Sequence, residues 1–150
     1  MRSAEPSAVY EALLHAADDL LRCRRVVVCR YNSVTRNIIP MTHRRAADDP
    51  PGGKIRVDLE LVERCCETGL GTVRPVSEGG REIGVPLSGR RAVVGALIAA
   101  VGPEVDPGPA LPWLGAVATQ CGWVLEELEA HAVAVQQGLR LEELNRLAEE

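Results

Sequence analysis

Five cysteines are the residues of this 150-residue chain with the most chemical potential. Cys65 and Cys66 are adjacent, and Cys29 could lie near them in the fold. Thiols ligate soft metals and react with oxidants, but free cysteine also packs as a small hydrophobe. A disulfide between adjacent residues would be strained, and on a helix one of the pair must face the interior. We therefore favour packing for this pair over redox sensing, and we predict no metal site.

Histidine and arginine side chains are the other candidates for ligand chemistry. Haem needs an axial ligand such as histidine, and His43 is the one best placed, because His15 and His131 are expected at solvated positions on helices. Arg44 and Arg45 could bind a phosphate as charged donors. Both they and His43 lie at the edge of a polar loop, where solvated side chains are the simpler interpretation. We predict no catalytic residue, and the sequence leaves any cofactor unknown.

A hairpin over residues 82–101 must organise the elements that position these side chains. Two apolar runs, residues 83–87 and 92–101, flank a polar link at residues 88–91, which predicts two antiparallel strands joined by a turn. The second run is apolar at nearly every position and therefore suits a central strand covered on both faces. Gly84 and Gly95 lie inside the strands, where glycine marks a bulge or a close approach to the backbone.

Shorter elements surround the hairpin. A helix is predicted over residues 6–21 from its periodicity and Pro6, and a second over 59–68 with Asp58 as its N-cap and Gly69 at its end. The predicted strands cover residues 26–31, 36–43 and 72–76, with a further short one possible at 54–57. Pro40 places the second strand at an edge or a bulge. Residues 44–53 are predicted to form a loop.

A long helix is predicted from Trp113, after a proline-rich irregular segment at residues 102–112. Its apolar residues step by three and four in a heptad-like stripe: Leu114, Val117, Cys121, Leu125, Leu128, Ala132, Val135 and Leu139. Leu141, Leu144 and Ala148 follow out of phase with that stripe. The first half must cover the sheet, so the stripe from about Leu125 is free, and we expect a parallel homodimer to cover it.

Composition and charge exclude several classes of protein. The chain is 46% hydrophobic, which supplies a core, but no apolar run approaches the roughly 20 residues of a membrane span. It has no signal-like segment and an odd number of cysteines, so we expect a cytoplasmic protein without disulfides. Residues 123–150 hold seven Glu and two Arg, a charge of −5, so the rest carries −4 − (−5) = +1. The basic pairs are scattered, which argues against binding nucleic acid.

Three segments resemble a GAF domain: residues 61–75 (LVERCCETGLGTVRP), 83–101 (IGVPLSGRRAVVGALIAAV) and 114–128 (LGAVATQCGWVLEEL). The resemblance implies an α+β fold, with an antiparallel sheet of five or six strands, the N- and C-terminal helices on one face, and a long C-terminal signalling helix. Residues 1–130 would form this domain and 131–150 a helical extension. A pocket is implied between the sheet and the shorter helix; we assign to it Tyr31, Ile39, Met41, His43, Cys65, Cys66 and Val85.

GAF domains bind cyclic nucleotides, haem, bilins or metabolites, or only dimerise, and the fold does not choose among these. The tail at residues 139–150 resembles the linker of bacterial sensor histidine kinases. We therefore expect a sensory domain, not an enzyme, that relays a signal to an output domain such as a kinase of that type. The alternatives are a dimerisation module without ligand and an enzyme similar to free methionine sulfoxide reductase, whose cysteine layout this chain does not match. It also lacks the Cys-His pair of a bilin site.

Overall fold

Five antiparallel strands form one sheet in the computed structural model, which describes residues 5–45, 58–76 and 79–149. Within those residues the strand order is β2-β1-β5-β4-β3. The elements are α1 (Pro6–Leu21), β1 (Arg25–Tyr31), β2 (Ile38–Arg45), α2 (Leu59–Thr68), β3 (Thr72–Pro75), β4 (Arg81–Ser88), β5 (Val93–Val101) and α3 (Leu111–Ala148). The predicted α+β class is confirmed.

The predicted hairpin is the centre of the sheet. β4 and β5 pair in the register Glu82↔Ala100 and Val85↔Leu97, and β5 also pairs with β1. Because β5 has a strand on each side and helices over both faces, its residues from Gly95 to Ala99 are buried without alternation. This is the arrangement that its continuous apolar run predicts.

The sheet separates two hydrophobic layers. α1 and α3 pack on one face, which we call the α3 face, over a core that includes Leu13, Val28, Leu87, Leu97 and Leu114. α2 packs on the opposite face, the α2 face, over a smaller core of Val27, Cys29, Leu61, Val62, Cys65, Cys66, Ala96 and Ile98. The predicted placement of the N- and C-terminal helices on one face is therefore confirmed.

Local signals set the ends of the helices. Asp58 accepts a hydrogen bond from the Leu61 backbone N–H at 3.1 Å, as expected of an N-cap. Gly69 ends α2 with a left-handed φ of 66°. α3 begins at Leu111, two residues before the predicted start, because Pro112 fits the first turn, where its missing N–H has no helical partner to lose.

β2 differs from its predicted bounds and is bulged. It begins at Ile38 because Arg36 has a left-handed φ of 61° and closes a turn on the Asn32 carbonyl, and it ends at Arg45. Val28 pairs with Thr42 and Cys29 with Pro40, so Met41 is the extra residue. The predicted edge or bulge at Pro40 is confirmed on both counts. The possible strand at residues 54–57, like most of the predicted loop, lies outside the described residues.

α3 has a packed half and an exposed half. Leu114, Ala118, Gly122 and Leu125 are buried against the sheet, while every described residue from 129 onward is exposed. The buried face is thus displaced from the predicted stripe, whose Val117 and Cys121 are only half-buried. Among the described residues, no helix is both long enough and apolar enough to cross a bilayer.

Candidate functional site

The seven residues assigned to a pocket lie on both faces of the sheet. Cys65 and Cys66 project from α2, and Tyr31 packs against the same α2-face core. His43 pairs directly with Val27, a member of that core, and directly paired residues share a face. These four residues are on the side where the pocket is predicted, although the His43 side chain is exposed.

The other three assigned residues belong to the α3 face. Val85 is buried in the core beneath α1 and α3. Met41 lines a small cavity together with Tyr10 and Leu125. Ile39 pairs with Arg30, whose guanidinium forms an ion pair with Glu129 of α3. The structure therefore does not bring the seven residues together into one pocket.

α2 packs directly on β4 and β5 through Cys65 and Cys66. Cys65 is fully buried, and a Cβ placed on Gly84 of β4 would lie 2.5 Å from its Sγ. The Cys66 thiol points at the Gly95 carbonyl of β5, 3.8 Å away. Gly95 is needed because a Cβ there would lie 2.3 Å from the Cys29 carbonyl oxygen. Both strand glycines thus mark the close approaches that the sequence indicates.

Burial raises the pKa of all five thiols above the ordinary value, so their thiolate fraction at neutral pH is very small. It raises the pKa of Cys29 to about 11. It also raises the pKa of Cys66 to about 12, with further contributions from neighbouring Cys65 and Cys29. The pKa of Cys23 rises to about 12 through burial and the nearby Asp18 carboxylate. Because the thiolate is the reactive species, these buried cysteines are suited to packing rather than to redox chemistry.

The histidines do not assemble a metal centre. His15, His43 and His131 are all exposed. Within the described ranges, no three side chains of His, Cys, Asp or Glu lie close enough to hold a metal ion. His43 therefore offers one exposed imidazole at the sheet edge.

A polar contact that the sequence pattern does not predict joins the β4–β5 turn to α3. Glu126 accepts hydrogen bonds from the backbone N–H groups of Arg90 at 2.8 Å and of Arg91 and Ala92 at 3.2 Å. Lost hydration raises the pKa of this carboxyl, but the three amides outweigh that effect, so its pKa lies below the ordinary value. A Cβ on Gly89 would lie 2.2 Å from a Glu126 oxygen and 2.8 Å from the Ala92 carbonyl oxygen, so a larger residue there would displace the carboxylate.

Two further contacts surround this turn. The Arg90 guanidinium lies over the Trp123 ring, 4.9 Å from its centroid, a favourable cation–π distance. Gly122 brings the α3 backbone against β4, since a Cβ there would lie 2.6 Å from the Ser88 carbonyl oxygen. The sequence predicts a turn here, and its three successive backbone amides need a hydrogen-bond acceptor. The residues of the turn do not show that the acceptor is the Glu126 carboxylate, which is 36 positions after Arg90.

Comparison with solved structures identifies molecules that share this architecture. The photoproduct state of GAF3 of Slr1393 from Synechocystis sp. PCC6803 aligns with a TM-score of 0.68 at 17% identity, covering 85% of this chain and 98% of that one. The GAF-B domain of DevS from Mycobacterium smegmatis aligns with a TM-score of 0.64 at 14% identity, covering 87% and 99%.

A GAF domain attributed to a sensor histidine kinase of Pseudomonas syringae pv. tomato is also similar. It aligns with a TM-score of 0.62 at 13% identity, covering 89% of this chain and 83% of that one. No protein-family model matches the sequence, and none of the curated proteins is similar to it. At these identities the likeness establishes the fold.

Proposed function

Because this chain has the GAF-domain fold, we propose that it is a sensory domain that dimerises through α3 and relays a signal along that helix to an output domain. A histidine kinase is the output we favour, since a GAF domain attributed to such a kinase has the same fold. The proposal places the protein in the cytoplasm, where its five unpaired cysteines would stay reduced. Residues 1–130 would be the sensory domain and 131–150 the helical extension.

The exposed half of α3 is the observation that carries this proposal. Six large aliphatic side chains beyond Leu128 are exposed in the single chain: Val133, Val135, Leu139, Leu141, Leu144 and Leu147. Two of them, Val135 and Leu139, belong to the heptad-like stripe. At 1.5 Å per residue, residues 129–148 of α3 span about 30 Å. An isolated helix with such a surface gains little from its own hydrogen bonds, whereas pairing with the same helix of a second chain would bury the apolar stripe.

The contact between Glu126 and the β4–β5 turn supports α3 as the route of the signal. It joins the central hairpin to the helix three residues before the continuously exposed segment begins at Glu129. A displacement of the hairpin would therefore move the start of the exposed segment directly. In a parallel dimer, this movement would change the rotation or register of the two helices.

Direct packing of α2 on the sheet supports the second candidate, a dimerisation module without a ligand in the α2-face pocket. A molecule bound between α2 and the strands at Cys65 and Cys66 would have to displace these side chains, which are 0% and 6% exposed. Native mass spectrometry of the purified protein distinguishes the two. A stoichiometric co-purifying small molecule would favour the sensor, and a chain of bare mass would favour the module.

An enzymatic role of the reductase type has less support. Such chemistry needs accessible thiols with a substantial thiolate fraction, whereas burial raises the pKa of Cys65 and Cys66 here. We therefore propose a non-catalytic role. Turnover of free methionine sulfoxide that disappears on thiol blocking would overturn it.

Sedimentation equilibrium tests the dimer on which the relay depends. We expect the 16.2 kDa chain to sediment at twice its mass at micromolar concentration and to dissociate on dilution. A single-chain mass throughout the micromolar range would contradict the proposal.

A further inference from the structure

A cleft of about 560 Å³ opens at the edge of the sheet where β4 extends past β3. The pairing of these strands runs from Pro75↔Arg81 to Thr72↔Gly84. From Val85 to Ser88, β4 pairs with β5 on one side, and no strand among the described residues pairs with its other side. The cleft thus includes a stretch of β4 with an open backbone edge.

Three segments form the walls of the cleft. The turn between α2 and β3 contributes Leu70, the open edge of β4 contributes Val85 and Pro86, and the first turns of α3 contribute Leu111 and Gly115 among others. Val85 and Pro86 are adjacent in a strand, so their side chains point to opposite faces. The cleft therefore crosses the edge of the sheet, and it is distinct from the packed space under α2.

The chemistry of the lining restricts what the cleft can hold. No charged side chain is found among the described residues that line it, and the polar side chains are the hydroxyls of Thr72, Ser88 and Thr119. An ionic ligand would lose its hydration there without a counter-charge. Pro86 also disfavours the addition of a peptide strand to this edge. Proline has no N–H to donate to a neighbouring strand, and it is tolerated within strands where its nitrogen faces a side without a partner.

We propose that this cleft binds an uncharged, largely apolar small molecule that carries at least one hydrogen-bonding group. Its volume lies within the roughly 300–1,000 Å³ range of small-molecule sites. A ligand there would touch both β4 and the first turns of α3, and so would change how the helix sits on the sheet. Only this regulatory consequence rests on the proposed function; binding itself does not.

The test compares two dyes that differ by one charged group. N-phenyl-1-naphthylamine is uncharged and apolar with a single N–H donor, whereas 1-anilinonaphthalene-8-sulfonate adds a sulfonate to the same skeleton. We expect the fluorescence of the uncharged dye to rise and saturate at one dye per chain. We expect the sulfonate to bind at least about tenfold more weakly.

Two glycine substitutions on α3 locate the site. A Cβ at Gly115 or at Gly138 would meet nothing within 4 Å, but only Gly115 lines the cleft. We expect Gly115→Leu to weaken binding of the uncharged dye at least about tenfold, while Gly138→Leu leaves it unchanged. Thr119→Met, one helical turn beyond Gly115, fills the same space and should weaken binding similarly.

Three outcomes would overturn the proposal: no saturable binding of the uncharged dye, equal binding by Gly115→Leu and Gly138→Leu, or equal affinity for both dyes. Sedimentation of the same samples reports dimerisation separately. A protein that binds the dye but sediments as a monomer would refute the relay and leave the cleft site standing. A protein that dimerises but does not bind the dye would refute the cleft site alone.

Discussion

Cys65 and Cys66 show how an adjacent pair of reactive residue types can serve packing instead of chemistry. Cys65 fits against Gly84, and Cys66 lies beneath α2 with its thiol at the Gly95 carbonyl. Because a thiol is small and Gly84 and Gly95 carry no side chain, α2 can lie close to both β4 and β5. The sequence indicates this interpretation because residues on one turn of a helix cannot all avoid the sheet, but only the structure gives the contacts.

Thiol reactivity tests that interpretation at single residues. With Ellman's reagent at pH 7.5, we expect Cys23, Cys29, Cys65 and Cys66 to react at least about 100-fold more slowly in the native protein than in urea, because they are buried and protonated. A surface cysteine introduced by Gln136→Cys is the control and should react at once. Rapid native labelling of Cys65 or Cys66, mapped by mass spectrometry, would restore the redox hypothesis.

Stability at alkaline pH follows from the same burial. The folded pKa values of Cys29 and Cys66, about 11 and about 12, exceed the ordinary value of 9.0. Unfolded thiols therefore lose their protons first, so stability is complete below about pH 9 and falls as the pH rises towards 11 and 12. Each such thiol should reduce the free energy of unfolding by about 1.4 kcal/mol per pH unit in that window.

Urea unfolding at pH 8.0, 9.5 and 10.5 measures the loss. Cys29→Ala is the matched variant: it should be less stable at pH 8.0 because of the cavity, yet lose less stability with rising pH because one buried thiol is gone. An identical pH dependence in the variant would show that Cys29 does not contribute to the alkaline loss.

At the scale of elements, α3 lies closer to the sheet than its apolar stripe predicts. Heptad-like spacing points to Val117 and Cys121, but the buried positions between Leu114 and Leu125 are Ala118 and Gly122. Small residues carry no hydrophobic signal, so a pattern of apolar side chains cannot show that they form the contact. The backbones of α3 and β4 meet at Gly122 because no side chain separates them.

Alanine at two glycines of α3 tests this approach. Both substitutions gain up to about 1 kcal/mol of helix propensity, but only at Gly122 would the new Cβ meet backbone, 2.6 Å from the Ser88 oxygen. We expect Gly115→Ala to be neutral or stabilising and Gly122→Ala to be less stable by about 1–3 kcal/mol in urea unfolding. Equal stability of the two variants would mean that α3 and β4 are further apart.

The boundaries of the elements were predictable where a local signal exists. Asp58 and Gly69 define α2 because a cap and a left-handed turn are properties of single residues. The start of β2 was not predictable, since the left-handed conformation of Arg36 depends on a turn that glycine or asparagine more often forms.

At the scale of the whole molecule, the layered fold was predictable and the pocket was not. The continuous apolar run of β5 requires cover on both faces, and this places helices on each side of the sheet. To predict which residues line a pocket, one must know on which face of the sheet each side chain lies, and that depends on the register of the strands. The bulge beside Cys29 makes Met41 an extra residue, so His43 lies on the α2 face while Ile39 and Met41 lie on the α3 face.

Assembly of two chains gives a further prediction at this scale. Leu139 and Val133 are both exposed in the single chain, but only Leu139 lies on the heptad-like stripe. We expect Leu139→Glu to weaken dimerisation at least about tenfold, because it places a charge in the buried seam, while Val133→Glu leaves it nearly unchanged. Sedimentation equilibrium measures both, and equal effects would mean that the stripe is not the interface.

The contact of Glu126 with the hairpin turn has a consequence for mutational tolerance. Its three hydrogen bonds come from main-chain amides, so they persist with any residue except proline at positions 90 and 91. Those two positions can therefore diverge without separating the turn from the helix. Variation is restricted instead at Glu126 and at Gly89, where a larger residue would displace the carboxylate.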